Sequence, residues 1–288
     1  MNYEGTVYRP PSEAMSFILQ ATIGCSHNDC TFCSMYKDKK FRIRKTTEIL
    51  EDIYQARSLY KNIKKIFIAD GDALIIKTQD LLQIIKELKR VFPEAESIGI
   101  YSSPKSVHKK SVEDLKELKD AGLKIAYLGL ESGSDKILQL VNKGDDSKGI
   151  IEAGLKLKEA GILLSLTVIS GLGGKELWKD HALETAKAVN KITPNYLGLL
   201  TLMLEPGTLL YESYSKGEFE ILNPVEIAEE TLLLLENLDS EATVFRSNHA
   251  SNYVSLKGTL NKDKNQMILE LKEALEDSDF KEEWLRRL

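Results

Sequence analysis

Between residues 17 and 204 short apolar runs alternate with longer segments in which apolar residues return every three or four positions. The apolar runs are 17–23 (FILQATI), 65–69 (KIFIA), 97–101 (SIGIY), 124–130 (KIAYLGL), 163–169 (LLSLTVI) and 196–204 (YLGLLTLML). Runs this short, bounded by Gly, Asp, Ser or Pro, read as strands of a sheet covered on both faces. Between them lie segments of helical period. In 46–59, Ile49, Leu50, Ile53 and Ala56 share a face, and in 78–91 Leu81, Leu82, Ile85 and Leu88 do. Thr78 reads as a cap for the second of these and Pro93 as its stop. Further helices are expected over 111–121, ended by Gly122, over 134–141, over 148–160, ended by Gly161, and over 176–191.

Six strand–helix units in succession imply a parallel sheet with helices outside it and right-handed crossovers. Six units fall short of the eight of a closed TIM barrel, for which about 250 residues is typical. The expected fold is therefore α/β, a partial (β/α)6 TIM-like barrel over residues 1–210. Beyond it the pattern changes. Helical periods over 227–238 and 266–275 flank a polar stretch around 245–257, so residues 211–288 read as a helical C-terminal extension closing the barrel.

Composition narrows the partners. Apolar residues make up 42% of the 288-residue chain, ample for a core. The net charge of −5 disfavours long nucleic acid, for which a basic surface is the usual signature. No stretch of 18 apolar residues offers a membrane span, and residues 1–9 lack a basic and then apolar signal pattern. The chain has three cysteines, all within residues 25–33, which argues against a disulfide scaffold and for a reducing, cytoplasmic setting.

Those cysteines carry the chemistry. Cys25, Cys30 and Cys33 stand at C-x4-C-x2-C spacing just after the first strand. Three thiolates suit an iron–sulfur cluster with one corner left open. Zinc held by the same three thiolates and His27 is the alternative, and would make the protein a stapled binding module without catalysis. In parallel α/β folds ligands bind beyond the carboxyl ends of strands, and here every predicted strand end is rich in Gly, Ser or acid. After the second strand comes Asp70-Gly71-Asp72, and after the third Ser102-Ser103-Pro104. Glu131-Ser132-Gly133 follows the fourth, Ser170-Gly171-Leu172-Gly173-Gly174 the fifth, and Leu204-Glu205-Pro206 ends the sixth. Asp70 and Asp72 could equally cap the helix near Thr78.

The cysteine loop, Phe32 directly before its third cysteine, the run 69–74 and the run 129–134 resemble the radical S-adenosylmethionine (SAM) enzymes over roughly residues 15–210. The first gap has four residues where the family usually has three. The resemblance implies an enzyme in which Cys25, Cys30 and Cys33 hold a [4Fe-4S] cluster and SAM chelates the open iron. It implies cofactor contacts from Phe32, Asp70, Gly71, Asp72, Ser102, Glu131, Ser132, Ser170, Gly171 and Leu204. A flavodoxin- or ferredoxin-type protein would supply the electron. No residue can be assigned to catalysis beyond these.

A second cysteine set for an auxiliary cluster is absent, so a small-molecule substrate is expected. The chain length, the opening Tyr8-Arg9-Pro10-Pro11-Ser12-Glu13 and the polar C-terminal segment are similar to the bacterial queuosine lyases, which release queuine from queuosine or its 5′-phosphate. That resemblance implies a modified nucleoside or nucleotide as substrate, with Tyr36, Arg42, Arg246, Asn248 and His249 as candidate contacts. Another C–H activation on a small metabolite, porphyrinogen-oxidase-like, is the alternative.

Overall fold

The computed structural model describes residues 3–286. In chain order β1 (Phe17–Gln20), β2 (Thr22–Ile23) and β3 (Arg42–Ile43) precede α1 (Thr46–Leu59), β4 (Lys65–Ala69), α2 (Thr78–Val91) and β5 (Ser97–Ser102). Then come α3 (Pro104–His108), α4 (Val112–Ala121), β6 (Leu123–Glu131), α5 (Asp135–Leu140), α6 (Ser147–Glu159), β7 (Leu163–Ser170), α7 (Gly174–Ile192) and β8 (Tyr196–Thr201). The chain ends with α8 (Leu209–Ser215), α9 (Pro224–Asn237), β9 (Val244–Arg246), β10 (Lys257–Thr259) and α10 (Lys264–Asp277). Among the described residues no helix is long and apolar enough to cross a membrane.

Two compact units are formed, residues 1–28, 35–128 and 153–164 in the first and residues 29–34, 129–152 and 165–288 in the second. The expected boundary at 210 falls inside the second. β6 and β7 each start in the first unit and finish in the second.

In the first unit β1, β4, β5 and β6 pair in parallel and in chain order, with Leu19 beside Ile68, Ile66 beside Ile98 and Tyr101 beside Tyr127. Alternate residues serve opposite faces of such a strand. Phe67, Ala69, Ile125 and Tyr127 therefore gather on one face, with Val7, Ile18 and Tyr101 packed against them. The Phe67 and Tyr101 rings meet edge to face at 4.8 Å. Glu13, in the opening run, is buried here and accepts hydrogen bonds from Ser16 Oγ and Tyr127 Oη.

In the second unit β7, β8 and β9 are parallel, with Val168 beside Leu199 and Leu197 beside Phe245, and β10 runs antiparallel to β9. The C-terminal extension is thus not helical throughout, because its polar stretch supplies two short strands. Ile137, Val141, Leu172, Leu210 and Phe219 form the apolar cluster of this unit.

The helix signals act locally as expected, with one correction. α4 has Ser111 as its cap, its hydroxyl accepting from Asp114 N at 3.0 Å while Asp114 accepts from Ser111 N at 2.9 Å. Gly122 ends it at φ 128°, a conformation an L residue resists. α9 has the same reciprocal box from Asn223 and Glu226, with Pro224 in the first turn. Thr78, however, is the first residue inside α2; Lys77 precedes it, and no side chain caps that end.

Candidate active site

In the first unit the loop bearing Cys25 is tied to the end of β4 by buried polar groups. Asp70 is fully buried, and its Oδ2 accepts from Lys39 Nζ at 2.8 Å, Gln20 Nε2 at 3.2 Å and Gly24 N at 3.2 Å. Its own amide donates to Thr22 Oγ1 at 3.0 Å. Asp70 Oδ1 is buried without a hydrogen-bond partner. A buried carboxylate needs such compensation, and it fixes whatever supplies it. Here that is Gly24, next to Cys25, and Lys39 from the segment that follows the cysteines. The basic run 37–45 therefore does not form a uniformly solvated face. Lys39 is buried on Asp70, and buried Arg44 donates to Asp52 and to the Gln20 carbonyl, both at 2.7 Å.

Asp72 is likewise buried. Its Oδ2 accepts from Ser26 Oγ and, at 2.8 Å, from Ser103 Oγ; Oδ1 accepts from Ser103 N at 3.2 Å. Burial raises its pKa above the ordinary carboxylate value, against serine hydrogen bonds that favour the charge. It caps no helix with its side chain, so the capping alternative for this residue does not hold. Between the two acids, Gly71 packs flat beneath the cysteine loop. A Cβ there would lie 2.7 Å from the Tyr36 ring and 3.0 Å from Cys25 Cβ, which excludes any larger residue without movement. Ser102 is buried and donates to the Tyr127 carbonyl at 2.9 Å, an intrasheet bond.

In the second unit the segment carrying Cys30 and Cys33 is held by main-chain bonds from Thr31 N to the Val141 carbonyl at 2.9 Å and from Leu210 N to the Thr31 carbonyl at 3.0 Å. Phe32 packs on the apolar cluster together with Leu204, Ile169, Leu177 and Leu202, all half-buried. Two expected cofactor neighbours, Phe32 and Leu204, thus share one apolar surface with the ends of β7 and β8. Glu131 ends β6 with φ 61° and pairs with Lys143 at 2.8 Å.

Ser132 and Ser170 are buried, and each is engaged from behind. Ser132 Oγ lies 2.8 Å from His181 Nδ1 and accepts from Ser134 N at 3.1 Å. Ser170 Oγ and Gly171 N donate to Glu230 Oε1 at 2.6 and 2.8 Å. Burial pushes Glu230 up to about 7 and His181 down to about 4. Gly171 has φ 82°, and a Cβ on it would sit 2.8 Å from Ile227 Cδ1. Glu230 was missed in the sequence, yet a signal exists: α9 buries Ile227, Thr231 and Leu234, and an acid at 230 interrupts that apolar face.

The candidate substrate residues are divided between the two units. In the first unit Tyr36 is buried, its ring 5.6 Å from that of Tyr8, and Arg42 is exposed and paired with exposed Glu4. In the second, Arg246 donates to the Phe245 carbonyl at 2.7 Å, and Asn248 is exposed. His249 is half-buried, its Nδ1 2.8 Å from Ser251 Oγ, and burial, reinforced by nearby Lys281, lowers its pKa. Asn252, not singled out in the sequence, is buried: it accepts from Thr201 Oγ1 at 3.0 Å and donates to the Leu199 carbonyl at 2.8 Å.

None of the three cysteines is in a disulfide, and all are half-exposed. Among the described residues no three His, Cys, Asp or Glu side chains gather tightly enough to hold a single metal ion. Three half-exposed thiols on one loop suit a [4Fe-4S] cluster, which can take three protein thiolates and leave one iron open. The half-buried apolar surface around Phe32 and Leu204 suits an adenine.

Residues 19–188 match the family model described as the Radical SAM superfamily. "Uncharacterized protein YtqA" of Bacillus subtilis is 24% identical over 225 residues, 77% of this chain and 69% of that protein. "Uncharacterized protein MJ0486" of Methanocaldococcus jannaschii is 30% identical over 166 residues, 57% of this chain and 51% of that protein. Among solved structures, coproporphyrinogen III oxidase (HemN) from Escherichia coli, a radical SAM enzyme, superposes with a TM-score of 0.59 at 18% identity, over 77% of this chain and 52% of that one. The chain thus spans about half the length of the last two.

Proposed function

The chain belongs to the radical SAM superfamily, whose members bind a [4Fe-4S] cluster and SAM, and we propose that it uses both to take a hydrogen atom from a small-molecule substrate. One observation carries this reading: three half-exposed cysteines outside any disulfide follow the first parallel strand, with Gly71 packed against the first of them. When bound, the cluster and SAM supply one-electron cleavage to methionine and a 5′-deoxyadenosyl radical; the protein's part is to bind, orient and shield. Cys25, Cys30 and Cys33 would ligate three irons. Phe32 and Leu204 would offer the adenine an apolar face, and Gly71 and Gly171 would bring backbone close. Asp70 and Asp72, being buried and engaged by Lys39 and by serines, act by fixing the loop around Cys25.

The specific substrate we propose is queuosine or its 5′-phosphate, with queuine released. The resemblance of the opening run and the C-terminal segment to queuosine lyases supports this, as do exposed Arg42 and Arg246, either of which could meet a phosphate. A flavodoxin- or ferredoxin-type donor would deliver the electron. The test is direct. Anaerobically reconstituted protein should absorb broadly at about 400 nm and, once reduced, form 5′-deoxyadenosine from SAM and queuine from queuosine. Colourless protein with stoichiometric zinc would overturn the enzyme reading; 5′-deoxyadenosine without queuine would overturn only the substrate.

A further inference from the structure

The carboxyl end of β7 is held by a helix beyond the residues that match the family model. Glu230, midway along α9, is 2% exposed, and Oε1 accepts both Ser170 Oγ and Gly171 N, while Oε2 is buried without a hydrogen-bond partner. The other side of the same peptide is also tied, because the Ser170 carbonyl accepts from Leu202 N at 2.9 Å. The Ser170–Gly171 peptide plane is therefore fixed at both its N–H and its C=O. His181 of α7, also 2% exposed, brings Nε2 to 3.8 Å from Glu230 Oε1 while its Nδ1 meets Ser132 Oγ. One turn along α7, Thr185 Oγ1 accepts from Gly133 N at 2.9 Å. Two neighbouring buried titratable side chains thus serve adjacent strand ends, Glu230 bonded at the end of β7 and His181 beside Ser132 after β6.

Burying such groups costs free energy that an apolar filler would not. They earn no return in packing, since leucine would fill the space. What they do provide is orientation of two strand ends.

We infer that Glu230 is a positioning residue for SAM: it sets the backbone at Ser170–Gly171 in the arrangement that receives the cofactor, while its neighbour His181 holds the turn at Ser132. This rests on the radical SAM reading above. A loop held in its bound form loses less on binding, so the effect falls on SAM affinity.

The experiment compares wild type, Glu230→Leu, Glu230→Gln and Ser170→Ala, each reconstituted anaerobically. SAM binding is measured by equilibrium dialysis, alongside iron per chain and amide exchange at Gly171. Glu230→Leu should weaken SAM binding about tenfold, the scale of one or two lost hydrogen bonds, with iron content near wild type and faster exchange at Gly171. Glu230→Gln keeps an oxygen acceptor and should stay within about threefold of wild type; Ser170→Ala, which loses one bond and no packing, should fall between. Glu230→Leu binding SAM as tightly as wild type would overturn the inference, and so would Glu230→Gln losing as much as Glu230→Leu. Should Glu230→Leu not fold, Ser170→Ala with unchanged affinity overturns it alone. Wild type that takes up iron yet binds no SAM would overturn the cofactor reading itself.

Discussion

Replacing Glu230 by glutamine removes a titration while keeping an acceptor for Ser170 Oγ and Gly171 N. Burial holds the native carboxyl at about 7, and unfolding returns it to an ordinary value near 4.5. An acid raised in the native state binds more protons folded than unfolded between those values, so its contribution to stability is present below about 4.5 and lost as pH climbs to about 7. At about 1.36 kcal/mol per pH unit the full loss is about 3 kcal/mol, of which about 2 to 3 develops between pH 5 and pH 8. The group is almost wholly buried, so solvent screening takes little from this figure. His181 runs the other way. Held at about 4, it costs stability as pH falls below 6.5, but both proteins carry it and its effect cancels from their difference. The assay is urea unfolding of wild type and Glu230→Gln, prepared identically, at pH 5, 6, 7 and 8. The variant should gain about 2 to 3 kcal/mol on wild type across that range with an unchanged m value. A difference that is flat with pH, or that moves in favour of wild type as pH rises, would refute the assignment of a native carboxyl titrating near 7.

Cys30→Ser should abolish the absorption at about 400 nm and the SAM-derived 5′-deoxyadenosine while leaving the far-UV spectrum intact; retained iron at the wild-type level would contradict ligation by this residue. Gly71→Ala places a methyl 2.7 Å from the Tyr36 ring and 3.0 Å from Cys25 Cβ. It should cost about 1–3 kcal/mol in unfolding free energy and lower iron per chain, and wild-type values for both would show that the close packing is not tight in solution. Lys39→Met strands the buried Asp70 carboxylate and should destabilise by about 3–5 kcal/mol, with most of that recovered in Lys39→Met/Asp70→Asn; equal stability of wild type and the single variant would remove Asp70 as the brace of the cysteine loop.

The parallel strands and the helices between them were legible because their patterns are long and repeat: Lys65–Ala69 matches its expected limits, and the third, fourth and fifth runs extend by a residue at an end. The first run, 17–23, breaks at Ala21 into β1 and β2, and β2 pairs with β3 instead. The last shortens. β8 stops at Thr201, and the apolar residues Leu202 and Leu204 continue as loop against the Phe32 cluster. Short elements outside the repeating pattern were not legible. β3, β9, β10 and α3 are too short to show a period, and what fixes them is tertiary: β3 pairs with β2, and α3 begins at Ser103, whose hydroxyl is shared between its capping box and Asp72. The cysteine loop was plain from spacing alone. The burial of Lys39 was not, because a lysine in a run of charges looks the same whether its ammonium meets water or an aspartate.

The strand-end acids have a structural task that residue type alone does not reveal. An aspartate beyond a parallel strand invites a ligand contact, yet in the first unit Asp70 and Asp72 are fully buried and bond to Lys39, Gly24, Ser26 and Ser103. In the second unit Glu230 does the same for Ser170 and Gly171. Each carboxylate fixes a segment that carries a proposed cofactor neighbour: Gly24 and Ser26 flank Cys25, and Gly171 lies at the end of β7. Desolvating a carboxylate is worthwhile only where its hydrogen bonds define geometry that apolar packing would leave loose. The division of labour then follows from solvation. On the proposed reading, the groups that approach a large, partly apolar cofactor would be glycine backbone and the half-buried side chains of Phe32 and Leu204, whereas these three carboxyl groups, which would hold water against it, are turned inward.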